Sequence, residues 1–70
     1  MNQYDVIVAK KSLSNGNVLA GDVGVILDIY EEHNDLLVEF PDPNGEDFLV
    51  FSCSADDVEL KHFEQLRKTA

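Results

Sequence analysis

The stretch that decides the fold is "GDVGVILDIY", residues 21–30: two glycines three apart, then a run that is apolar except for one aspartate. Glycine weakens strands, so its use at the start of so hydrophobic a run needs a reason. Without a Cβ it reaches backbone angles closed to other residues, which suits Gly21 to a tight turn and Gly24 to a bulge where a strand bends sharply. Val25, Leu27 and Ile29 then alternate with Asp28 and Tyr30, giving a strand that curls instead of running flat. Ile26 breaks the alternation, and a bulge at Gly24 is expected to absorb it.

Working toward the N-terminus, "KSLSNGNVLAG" (11–21) has the composition of a turn-rich loop, with Asn15-Gly16 at its tip and Leu13, Val18 and Leu19 expected to pin it to the barrel. Before it, "QYDVIVAK" (3–10) is rich in β-branched residues and reads as a first strand. Toward the C-terminus, "EEHND" (31–35) is a polar hairpin turn, and "LLVEFP" (36–41) a third strand with Leu36, Val38 and Phe40 on one face and Glu39 on the other. Pro41 ends that strand, "DPNGED" (42–47) carries the Asn-Gly hairpin signal, and "DFLVFSC" (47–53) is a fourth strand.

Ser54 in "SADD" (54–57) can cap free amides, with Asp56 and Asp57 at the positive end of a helical turn. "VELK" (58–61) is a short fifth strand. Leu60, Phe63 and Leu66 in "KHFEQLRKTA" fall at helical spacing. The expected fold is mainly β: a small five-stranded SH3-like antiparallel barrel over residues 1–60, with a short C-terminal helical tail over 61–70.

The quoted stretches resemble a family of short bacterial proteins known only as a domain of unknown function with an SH3-like barrel. The resemblance is carried by "DVIVAKKSL" (5–13), "GDVGVILDIYE" (21–31), "VEF" (38–40), Gly45 and "SADDVEL" (54–60), and it covers about residues 4–60. It implies a fold and brings no catalytic or cofactor residues. The Gly-Asp-x-Gly element is also similar to one in ribosomal and transcription-factor barrels that touch RNA. This chain lacks their basic residues near that loop, so RNA binding is not carried over.

Charge gives the functional lead. Residues 12–60 hold twelve Asp or Glu and no Lys or Arg, within a 70-residue chain of net charge −9. Binding nucleic acid requires cations that displace condensed counterions, so direct contact with DNA or RNA is not expected. No apolar run approaches the ~20 residues of a membrane helix and no export signal is visible, which points to a cytoplasmic protein without membrane contact.

Cys53 is the single cysteine. It can form no internal disulfide, and its acidic surroundings oppose a thiolate, so it reads as a buried structural residue. Asp56, Asp57 and Glu59, or Asp42, Glu46 and Asp47, could offer oxygen to a hard cation, but their spacing matches no calcium loop. His33 and His62 have no partner at metal-ligand spacing. No cofactor or metal is expected and no enzyme, because a chain this short leaves little room for a concave pocket. Of Tyr4, Tyr30, Phe40, Phe48 and Phe51, most are expected in the core, with Tyr30 exposed.

The leading expectation is a non-catalytic acidic module that binds a basic protein partner, as an immunity protein or antitoxin covers the basic site of a nuclease. Its face is drawn from Asp22, Asp28, Tyr30, Glu31, Glu32, Asp35, Glu39 and Asp42. The alternative is a structural subunit or assembly factor docking by a strand edge or by the Phe63-Leu66 tail. Oligomeric state is not legible.

Overall fold

A computed structural model describes residues 1–45 and 47–61. The expected C-terminal helix lies outside them. Five strands form one antiparallel sheet: β1 (Val6–Ala9), β2 (Val23–Tyr30), β3 (Asp35–Pro41), β4 (Phe48–Ser54) and β5 (Val58–Leu60). Their order is β4-β3-β2-β1-β5, so β4 and β5 are the two ends of the hydrogen-bonded series. No β4–β5 ladder closes it among the described residues. Three 3-10 turns, Ser14–Gly16, Glu31–His33 and Ala55–Asp57, link the strands, and there is no α-helix among the described residues.

The two glycines of the opening stretch do different jobs. Gly21 has φ +95°, open to glycine and strained for other residues, and its N–H donates to the Ala9 carbonyl at 2.8 Å, which feeds the chain onto β1. Gly24 is a correction to the sequence reading: it is no bulge but lies in regular register opposite Ile7. A Cβ there would come within 2.6 Å of the Glu39 carbonyl oxygen and 2.7 Å of the Phe40 ring. Its missing side chain is the space that Phe40 fills.

The bulge sits three residues later. Ile26 faces Val38 and Asp28 faces Leu37, so β2 spends Leu27 as an extra residue. The reason is phase. Gly24 and Ile26 are buried, and strict alternation would carry Asp28 inward next. The extra residue turns Ile29 toward the core instead and leaves Asp28 and Tyr30 exposed. An unpaired carboxylate in the core would cost several kcal/mol, so the bulge is the cheaper arrangement.

The core that results is Ile7, Ala9, Leu13, Val18, Ile26, Leu36, Val38, Phe40 and Val58. Leu13 and Val18 pin their loop as expected, bridging each other around Ser14, Asn15 and Gly16, all at positive φ. Leu19 does not: it is exposed, because its N–H is drawn into a turn closed by the Asp22 carboxylate at 3.0 Å. β3 alternates as read, with Leu36, Val38 and Phe40 buried.

The aromatic expectation needs correcting. Phe40 alone of the five is fully buried; Phe51 stacks on it at 5.8 Å and is half-buried, while Tyr4 and Phe48 are exposed. Phe48 is turned outward because β4 gives its inward phase to Leu49, Phe51 and Cys53. Tyr30 is exposed, as expected.

The turn before β5 matches its sequence signal. Ser54 Oγ accepts from the Asp56 N–H at 3.1 Å, and the Asp57 carboxylate accepts from the Ser54 N–H at 3.3 Å, a reciprocal capping box. It turns the chain into β5, which pairs with β1 through Ala9 and Val58.

Candidate protein-binding surface

The expected acidic face is a set of three groups along one side of the sheet. At its centre, Asp28 of β2 and Glu39 of β3 lie in the outward phase, paired with Leu37 and Val25. At one end Tyr30 pairs with Asp35, and Glu31 and Glu32 follow in the 3-10 turn that Asn34 closes at φ +56°. Asp56 joins this end, where Tyr30, Glu31, Asp35, Ala55 and Asp56 line an open groove of about 440 Å³.

Asp22 and Asp42 stand at the opposite end. With Leu19, Val23, Pro41 and Pro43 they line a second groove of about 480 Å³, more apolar than the first. The structure therefore brings Tyr30, Glu31, Glu32 and Asp35 together and separates them from Asp22 and Asp42. These two also have local work: Asp22 accepts from the Leu19 N–H, and Asp42 Oδ1 from the Asn44 N–H at 2.9 Å. Asp28 Oδ1 accepts from the Ile29 N–H beside the bulge at 2.8 Å. Glu31, Glu32, Asp35 and Glu39 make no side-chain hydrogen bond or ion pair with a described residue, so their charge is available to a partner.

Charge neutralisation within the fold is local. Lys11 Nζ lies 3.1 Å from Asp57 Oδ1, an exposed cation on a carboxylate already occupied by the capping box. Such a pair contributes at most about 1 kcal/mol. Among the described residues no group of three or more His, Cys, Asp or Glu converges as a metal site. Asp42 and Asp47 instead hold the N–H groups of Asn44 and Phe48.

Cys53 is half-buried rather than buried, and packs against the core. Burial, with the Asp57 and Asp35 carboxylates adding, pushes its thiol up to about 11. It stays protonated and a poor nucleophile at neutral pH.

Sequence reasoning missed two outward apolar residues, Phe48 and Val50, 59% and 55% exposed. Both phases of "FLVFSC" are apolar, so periodicity could not choose between them. Val50 pairs with Glu39 and Phe48 with Pro41, which places this apolar pair beside the acidic strip.

Comparison with models of protein families, with curated proteins and with solved structures finds no match. The functional reading therefore rests on this surface. No helix among the described residues is long and apolar enough to cross a membrane.

Proposed function

We propose that this chain is a non-catalytic protein-binding module whose acidic face docks on a basic protein. The observation that carries the reading is the outward strip of Asp35, Glu39, Glu31 and Glu32, carboxylates with no partner among the described residues, in a segment of 49 positions from 12 to 60 without a Lys or Arg. No described residue hydrogen-bonds or pairs with those charges, and like charges so gathered repel one another. A cationic partner relieves that repulsion, accelerates encounter and is selected over neutral or acidic ones. An immunity-type or antitoxin-type inhibitor covering a nuclease's phosphate-binding site fits this chemistry.

The strand order, the bulge in β2 and the capped turn before β5 support an SH3-like, half-open curling of the sheet in which β4 stays an outer strand, in line with the family resemblance in the sequence. In that arrangement the bent β2 serves both halves of the barrel.

The test is capture of partners by the immobilised protein from a lysate of its source cell. Basic proteins retained at low salt, released as ionic strength rises and lost with a Glu31→Gln/Glu32→Gln/Asp35→Asn/Glu39→Gln variant are expected. Retention only of neutral or acidic proteins overturns the reading. The second reading, docking by a strand edge, is favoured by one observation: β4 is an outer strand whose outward side chains include Phe48 and Val50.

A further inference from the structure

Two hydrogen bonds bracket the β3–β4 ladder, Asp42 N–H to the Asp47 carbonyl at 2.9 Å and Ala55 N–H to the Asn34 carbonyl at 2.8 Å. In an antiparallel pair, residues that exchange bonds alternate with residues that do not. The bonding pairs are then Phe40 with Leu49, Val38 with Phe51 and Leu36 with Cys53. Phe48, Val50, Ser52 and Ser54 turn their N–H and C=O groups away from β3, toward the outer edge.

Aspartates occupy both ends of that edge. The Phe48 N–H donates to Asp47 Oδ1 at 3.0 Å and the Ser54 N–H to Asp57 Oδ2 at 3.3 Å. Val50 and Ser52 remain as the open positions among the described residues. β4 itself, "FLVFSCS", has no charge and no proline, the devices by which edges are usually protected. Phe48 and Val50 add exposed apolar surface on the residues whose backbone faces outward.

We infer that the β4 edge is a strand-addition site that takes a short extended segment of a basic partner, with apolar and cationic side chains alternating. This rests on the acidic-face reading above and locates the backbone contact within it. Main-chain bonds to Val50 and Ser52 supply register, and the segment's outward side chains lie against Phe48 and Val50. Lys or Arg stems crossing that pair point toward Glu39, which neighbours Val50 on β3, and toward Asp42 and Asp47 at the hairpin.

Charge decides against a second copy as the occupant. Antiparallel self-pairing centred on Phe51 sets Asp47 of each chain beside Ala55 and Asp56 of the other, and it joins two molecules of net charge −9.

The experiment measures binding of a fluorescein-labelled peptide alternating valine and lysine by anisotropy, using the full chain. Three further peptides accompany it: one alternating valine and glutamate, one of the same composition in blocks, and one N-methylated on alternate residues. The valine-lysine peptide is expected to bind, and each of the others at least about tenfold more weakly. Val50→Pro tests the protein side: this N–H is outside the β3 ladder, so the fold tolerates the change while strand addition is blocked. A loss of about tenfold or more is expected, with the circular dichroism spectrum unchanged. If Val50→Pro unfolds, the N-methylated peptide makes the same test on the unaltered protein.

Equal binding of the N-methylated or block peptide overturns the edge site and leaves the acidic-face reading standing. No binding of any cationic peptide counts against both. Concentration-dependent dimerisation abolished by Val50→Pro replaces the partner by a second copy. Gain of peptide binding on truncation after Lys61 assigns the edge to the chain's own tail.

Discussion

Gly24→Ala tests the packing on which the fold depends. In an ordinary strand position this change stabilises by about 0.4–1 kcal/mol, through lost freedom in the unfolded chain. Gly24 lies in regular register opposite Ile7, so that gain is available on backbone grounds. The new methyl, however, meets the Phe40 ring at 2.7 and 2.8 Å and the Glu39 carbonyl at 2.6 Å. Restoring an ordinary carbon contact of about 3.5 Å requires the ring to retreat by roughly 0.8 Å. Phe40 is fully buried and backed by Phe51 at 5.8 Å, and the carbonyl belongs to the sheet backbone.

Neither obstacle is the free end of a flexible side chain, so the cost is the upper part of the overpacking range, about 3 kcal/mol. After the entropic gain, a net loss of about 2 kcal/mol remains, worth ~8–16 °C in a domain this small. Thermal and urea melts followed by circular dichroism give the measurement. Gly21→Ala, where a Cβ meets nothing within 4 Å but φ is +95°, should lose only about 1 kcal/mol. Phe40→Leu combined with Gly24→Ala should lose less than the sum of the single changes. A Gly24→Ala protein as stable as the parent refutes the argument that Phe40 occupies the missing side chain's space.

Other perturbations follow from the same geometry. Ser54→Ala removes the capping box before β5 and should destabilise by about 1 kcal/mol, read as a drop of several degrees in melting temperature. Deleting Leu27 removes the bulge and puts Asp28 directly after the buried Ile26, so plain alternation keeps Asp28 outward opposite Leu37 and Ile29 inward opposite Leu36; the cooperative melt should survive, and a variant that loses it contradicts the phase argument. With its thiol near 11, Cys53 should react with iodoacetamide at pH 8 on the order of a hundred times more slowly than a free cysteine, and unfolding in urea should erase the difference. Because its folded value lies above its unfolded one, the unfolded chain ionises first. Stability is full below pH 9 and declines as pH rises toward 11, a decline that Cys53→Ala should lessen.

Much of this molecule is local in origin and could be read from the chain. The Asn15-Gly16 tip, the alternation of Leu36, Val38 and Phe40, the hairpin at Asn44-Gly45 and the cap at Ser54 depend on neighbours a few residues away, and the chain's letters specify them. The absence of Lys and Arg from 12 to 60, which supplies the functional lead, is likewise complete in the sequence. Pairing across the sheet decided the rest. A phase break around Ile26 announced a bulge, but its place at Leu27 was set by which neighbour could keep Asp28 out of the core. Gly24 looked like a bend because the ring that needs its space lies sixteen residues away on β3. For "FLVFSC", both faces are apolar, and only the ladder to β3 assigned Phe51 to the core and left Phe48 and Val50 on the outside. Local backbone preference is short-ranged and written in adjacent residues, whereas burial depends on what the folded chain brings opposite, and that exists only once the strands have paired.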